Sequence, residues 1–170
     1  MDVFEAIRTR RSIRRYLDKP VEKEKLAKVL EAARLSPSAV NFQPWSFIVV
    51  TGKEQKEKLW QSYGSDWFIS APVIIVACAN LDQAWKKFDG EEYWKVDLSI
   101  AIQDLILAAW EQGFGTCWVG AFHEEEAKQA LGIPGNVRIV AMTPLGYPAE
   151  EKGPVTDRKP LDEIVRYEHW

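Results

Sequence analysis

The residues best suited to chemistry stand near the start of the chain, in Arg10-Arg11-Ser12-Ile13-Arg14-Arg15-Tyr16. In an extended segment residues 10, 12 and 14 share one side, which aligns two guanidiniums and a hydroxyl. Forked guanidinium donors with a hydroxyl beside them match a phosphate monoester. The same run also reads as a solvated basic stretch, or as a helix end whose arginines complement the dipole, and the residues alone leave these alternatives open. A second stretch, Ser36-Pro37-Ser38-Ala39-Val40-Asn41-Phe42-Gln43-Pro44-Trp45, concentrates hydroxyl and amide groups between two prolines. On its own it is a rigid turn in which Asn41 satisfies local backbone groups.

Other site types are excluded. The chain holds no GxSxG nucleophile elbow and no GxxxxGK[ST] phosphate loop. Gly113-Phe-Gly115-Thr-Cys-Trp118 has Trp where a dinucleotide fingerprint needs its third Gly, and it follows a helix instead of a strand. His123 and His169 are the only histidines and are far apart, so no metal site is expected. Cys117 has no candidate base near it in sequence and reads as a small buried core residue.

These stretches need elements to position them. Asp2 and Glu5 suggest a capping box that starts a short helix ending near Thr9, with the arginines following at its end. A second helix is expected over about Val21 to Leu35, with Leu26, Val29, Leu30 and Ala33 on one face, and Ser36-Pro37 stops it. A strand over Trp45 to Thr51, a polar helix over Lys53 to Tyr63 and a strand over Val73 to Ala79 come next. Between Asn80 and Asp97 no clean period emerges. From Val96 to Trp110 eleven of fifteen residues are apolar and surround the helix, which predicts burial on all sides and points to packing against a second copy. A strand over Thr116 to Val119, a helix over Glu124 to Leu131, a strand over Val137 to Gly146 and a short helix over Leu161 to Val165 complete the order. Strands separated by helices, with connections too long for hairpins, predict an α+β three-layer sandwich.

The chain has 170 residues and a net charge of −3, with no repeat, low-complexity run or compositional break, so residues 1–170 read as a single domain. The slightly acidic total argues against a nucleic-acid partner, even though five of the nine arginines lie between Arg8 and Arg15. Two cysteines in apolar surroundings read as reduced thiols, which favours a cytoplasmic protein. The N-terminus has no basic region followed by an apolar one, and the Val96 to Trp110 run is too short and too charged to span a bilayer.

Four motifs then occur in order: Arg-x-Ser-x-Arg, Ser-Pro-Ser-x-x-Asn-x-Gln-Pro-Trp, Gly113-Phe-Gly-Thr-Cys-Trp-Val-Gly120, and Leu145-Gly-Tyr-Pro followed by Arg158-Lys159-Pro160. Together they resemble the FMN-dependent nitroreductase family across nearly the whole chain. The resemblance implies a mixed, mostly antiparallel central sheet and an intertwined homodimer with FMN at the subunit interface. It implies that Arg10, Ser12 and Arg158 hold the FMN phosphate, with Lys159 a second candidate and Arg11 adding ribityl or phosphate contacts. Arg14 is expected near flavin N1 and O2, where a fixed positive charge stabilises the reduced ring. Pro37, Ser38 and Asn41 are expected to approach the ring from the other subunit, and Val119 and Gly120 to offer it backbone groups.

Two positions depart from the family pattern. Val119 stands where larger members carry an acidic residue, so its contact must come from its backbone, and Thr156 replaces a frequent Lys near the phosphate. The activity implied is NADH- or NADPH-dependent reduction of nitroaromatics, quinones or related electron-poor acceptors, with no catalytic side chain because hydride passes through the flavin. Alternatives are enone reduction, dehalogenation or flavin fragmentation on the same fold, an FMN carrier or sensor without turnover, and a flavin-free module that binds acidic partners. Trp67, Phe68 and Trp94 are candidates for the acceptor pocket, with core or dimer packing the competing reading.

Overall fold

A computed structural model describes residues 1–170. Four strands form one sheet in the order β1-β2-β4-β3, with every neighbouring pair antiparallel: β1 (Trp45–Val50), β2 (Val73–Asn80), β3 (Gly115–Thr116) and β4 (Val137–Gly146). The central strand β2 is apolar at seven successive positions because helices cover both of its faces. Its alternation splits the core: Val73, Ile75, Ala77 and Ala79 enter one cluster, while Ile74, Val76 and Cys78 enter the other. The first face carries α2 (Lys23–Arg34) and α5 (Trp94–Glu111), and the second carries α3 (Lys53–Tyr63), α4 (Asp66–Ser70) and α6 (Glu124–Leu131). This is the expected three-layer sandwich. A parallel bridge between Ser12 and Thr116 beyond the β3 edge supplies the mixed character.

Helix α1 (Val3–Thr9) starts as expected, with Asp2 Oδ1 accepting the Glu5 N–H at 2.8 Å. The expected strand from Thr116 to Val119 is cut to two residues plus an isolated bridge between Val119 and Met142. Both segments share one register, and Pro144 lies between them opposite Cys117. Proline has no N–H to donate there, so the ladder lapses and resumes.

Helix α4 was not expected from the sequence. Its five residues follow Gly64, which ends α3 in the left-handed region, and bury Phe68. The aperiodic stretch before α5 is a turn of 3-10 helix over Leu81–Gln83 and a small hairpin closed by a Lys86–Glu92 bridge. The long helix therefore begins at Trp94. Burial on all sides is not reached within the chain: α5 packs Leu98, Ala101, Ile102, Leu105 and Ala109 inward, while Val96, Ser99, Ile100 and Gln103 remain exposed. The closing helix α7 spans Leu161–Ile164, one residue short of the expectation.

Candidate functional site

The arginine segment is built by the sheet edge beneath it. Ile13 is buried and donates its N–H to the Thr116 carbonyl at 2.8 Å, which holds residues 12 and 13 extended. Strand β3 comes so close that a Cβ on Gly115 would stand 2.5 Å from Ile13 Cγ1, so only glycine fits. With Ile13 turned inward, Ser12 and Arg14 fall on a common side, but of the expected trio of residues 10, 12 and 14 only Arg10 lines the cleft shared with Arg158. The Cys117 thiol, which the sequence left without a nearby base, donates to the Trp118 carbonyl at 3.8 Å. Burial pushes that thiol's pKa up, and the Arg14 and Lys152 charges offset part of the rise. Tyr16 is anchored at the end of the segment, its hydroxyl donating to the Ile13 carbonyl at 2.6 Å.

A strap from the C-terminal region lies along this segment. Leu17 N–H donates to the Tyr147 carbonyl and Ala149 N–H to the Arg15 carbonyl, both at 2.9 Å. Glu150 Oε1 accepts the Arg14 N–H at 2.8 Å, and Lys152 Nζ donates to the Ser12 carbonyl at 2.7 Å and pairs with Glu150 at 3.0 Å. The Arg14 amide and then Lys152 hold the Glu150 carboxyl below its ordinary pKa. Arg11 donates to the Gly153 carbonyl, so part of its guanidinium secures the strap. Lys152 and Glu150 gave no signal in the sequence.

Beyond the strap, Arg158 meets Arg10 across a cleft of about 380 Å³ lined also by Ile7, Arg8, Gln103 and Val155. Residues 148 positions apart in the chain thus face one another, with hydrogen-bond donors suited to an anion. Lys159 is exposed and does not line this cleft. Gln103 is a further lining residue that the apolar reading of its helix concealed.

The second stretch sits elsewhere, on α5. Ser36 Oγ donates to Asp104 Oδ2 at 2.6 Å, and Asp97 Oδ1 accepts the Ala39 N–H at 2.8 Å. Between Ser38 and Gln43 the chain passes through left-handed backbone at Val40, Asn41 and Gln43, with φ of 54°, 57° and 50°. Ser38 Oγ accepts the Gln43 N–H at 2.9 Å and closes the loop. Pro37, Val40, Asn41 and Phe42 face outward.

Val119 departs from its expectation. Its N–H donates to the Met142 carbonyl at 2.9 Å and its carbonyl accepts the Met142 N–H at 3.0 Å, while its side chain lies in the second core. The sheet thus commits its N–H, and the exposed Gly120 that follows is the residue of the pair left open to a ligand. Among the aromatic candidates, Phe68 is fully buried against Tyr63 and Trp67, and Trp94 is buried with its indole N–H donating to Glu92 at 3.0 Å. Both serve packing. Half-buried Trp67 instead lies 5.7 Å from the Arg14 guanidinium, ring centroid to Cζ.

Comparison with known proteins gives this geometry a context. The profile described as the Nitroreductase family matches residues 7–67 and 60–147. A Methanothermobacter thermautotrophicus protein with a provisional NADH dehydrogenase/NAD(P)H nitroreductase name is 42% identical, over 90% of this chain and 81% of its own. A nitroreductase family protein from Clostridium difficile 630 superposes with a TM-score of 0.93 at 34% identity, with both chains fully covered. An FMN-dependent nitroreductase from C. difficile R20291 does so at 0.85 and 32%, over 99% of this chain and 100% of that one. Motif order, fold and these likenesses agree: the chain belongs to the nitroreductase family and is an oxidoreductase with that fold.

Proposed function

We propose that the protein is an FMN-dependent NAD(P)H oxidoreductase that reduces nitroaromatics, quinones or related electron-poor acceptors, and that it works as a homodimer. The observation that carries this reading is the cleft where Arg10 and Arg158 face one another. Its donors fit a phosphate monoester, and one solved relative is named FMN-dependent. Bound FMN would supply hydride transfer from a nicotinamide to an acceptor at flavin N5.

The chain's residues then bind and orient. Arg10, Ser12 and Arg158 would hold the phosphate, and Arg11 and Lys152 tie the strap to the arginine segment next to it. Thr156 brings no cation there. Arg14 would bring a guanidinium to the pyrimidine edge of the ring, where a fixed positive charge favours the anionic reduced form. Gly120 presents backbone that a ligand can approach closely. Pro37, Ser38 and Asn41 are offered outward to the ring held by a second copy. The exposed Val96 and Ile100 on α5, with Phe4 and Ile7 on α1, give that copy apolar surface to cover. No helix is long and apolar enough to cross a membrane, and two free buried cysteines fit a cytoplasmic protein.

Anaerobic spectroscopy of the purified protein with NADH and then NADPH tests the reading. Bleaching of a bound flavin band, reversed by an electron-poor acceptor, is the expected result. A colourless protein that takes up no FMN would overturn it.

A further inference from the structure

Asp97 lies in the first turns of α5 and is 1% exposed. Oδ1 accepts the Ala39 N–H at 2.8 Å, whereas Oδ2 is buried with no partner. Withdrawing a carboxylate from water is unfavourable, and leaving one oxygen without a donor makes it more so. Neighbouring inward positions of the helix carry Leu98, Ala101 and Ile102, so packing alone would be better served by an apolar side chain. What the carboxylate gains is one hydrogen bond, and its donor immediately precedes the left-handed run.

That run is unfavourable in its own right. Three residues of the loop other than glycine occupy positive φ, and Val40 is β-branched, the type that tolerates this region least. Such backbone persists only where the surroundings impose it. Ser38 closes the loop on itself, and the Ser36–Asp104 bond ties the chain before the loop begins. Asp97 alone reaches from the helix layer to the residue beside Val40.

We propose that Asp97 is a positioning residue, a buried carboxylate on α5 that holds the 38–43 loop in the left-handed shape in which Ser38 and Asn41 are offered to the flavin. The flavin half of this assignment rests on the function proposed above; the hold on the loop does not.

Two readouts test it together: amide hydrogen exchange across the loop in flavin-free protein, and FMN titration. Asp97→Ala is expected to exchange at Ala39 at least about tenfold faster and to bind FMN at least about tenfold more weakly. Asp97→Asn, whose amide oxygen still accepts the Ala39 N–H, should recover most of both. If Asp97→Ala does not fold, Asp97→Leu carries the test, because it fills the volume without an acceptor. Unchanged exchange at Ala39 would overturn the proposal. Faster exchange with unaltered FMN affinity would overturn it as well, by severing loop shape from binding. Wild-type protein that takes up no FMN, with Asp97→Ala still loosening the loop, would strike down the flavin reading while upholding the hold on the loop.

Discussion

The arginine segment and the 36–44 loop are held by opposite means. The segment is laced down on both sides: one edge bonds to β3 through Ile13, and the other to the strap through Arg14, Arg15 and Leu17. Its backbone is extended and relaxed, and its side chains are left to act. In the loop the backbone itself is distorted, and two carboxylates of α5 restrain it from below. The contrast teaches which half of the site is complete within one chain. A clasp that unites Arg10 with Arg158 forms by folding alone, whereas the loop is restrained from beneath and leaves Pro37, Asn41 and Phe42 exposed above.

The heaviest blow to the clasp is the double variant Ser12→Ala/Arg158→Ala. Losing charge-assisted bonds worth about 1.5–3 kcal/mol each should weaken FMN binding about 100-fold or more and empty the protein on dialysis. Retained flavin would place the phosphate elsewhere. Next comes Gly115→Ala, whose methyl would drive into Ile13; destabilisation by about 1–3 kcal/mol is expected in denaturant unfolding, with the clasp loosened and the loop untouched.

Arg14→Ala separates holding from tuning. FMN should stay bound while its reduction potential falls by about 20–60 mV, using about 30 mV for each 1.4 kcal/mol of lost charge stabilisation. A potential equal to that of the wild type would remove Arg14 from the ring.

The smallest effect belongs to Glu150. Its pKa is lowered on folding, so its bonds to the Arg14 amide and Lys152 contribute fully above the unfolded value, about 4.3, and are lost as pH falls through the lower folded value. Melting profiles of the wild type and Glu150→Ala should therefore differ at neutral pH and converge in acid. The gap will be slight because the pair is partly solvated. A gap that widens in acid would contradict the assignment.

Much of the architecture was legible in the residues. The Asp2 cap, the α3 boundaries and the apolar β2 follow from local pattern, and the motif order pointed to the family. Other features were not legible, for identifiable reasons. Helix α4 is five residues long, too short to show a period, and the β3 ladder lapses because Pro144 sits opposite Cys117. In α5 the polar residues Asp97, Gln103 and Asp104 read only as interruptions of an apolar run. Their partners, a loop amide, a cleft and Ser36, lie far off in sequence. Val119 was expected to offer its backbone to a ligand, yet its N–H had already gone to Met142.

Local sequence was enough to specify which residue types the site would use and the order of helices and strands, because side-chain chemistry and hydrophobic period are properties of short windows. Tertiary structure alone decided the partners. Whether Arg10 meets Arg158, whether Glu150 takes the Arg14 amide, and whether Asp97 holds a loop amide depend on contacts between distant segments, which form only when the two cores close on either side of β2.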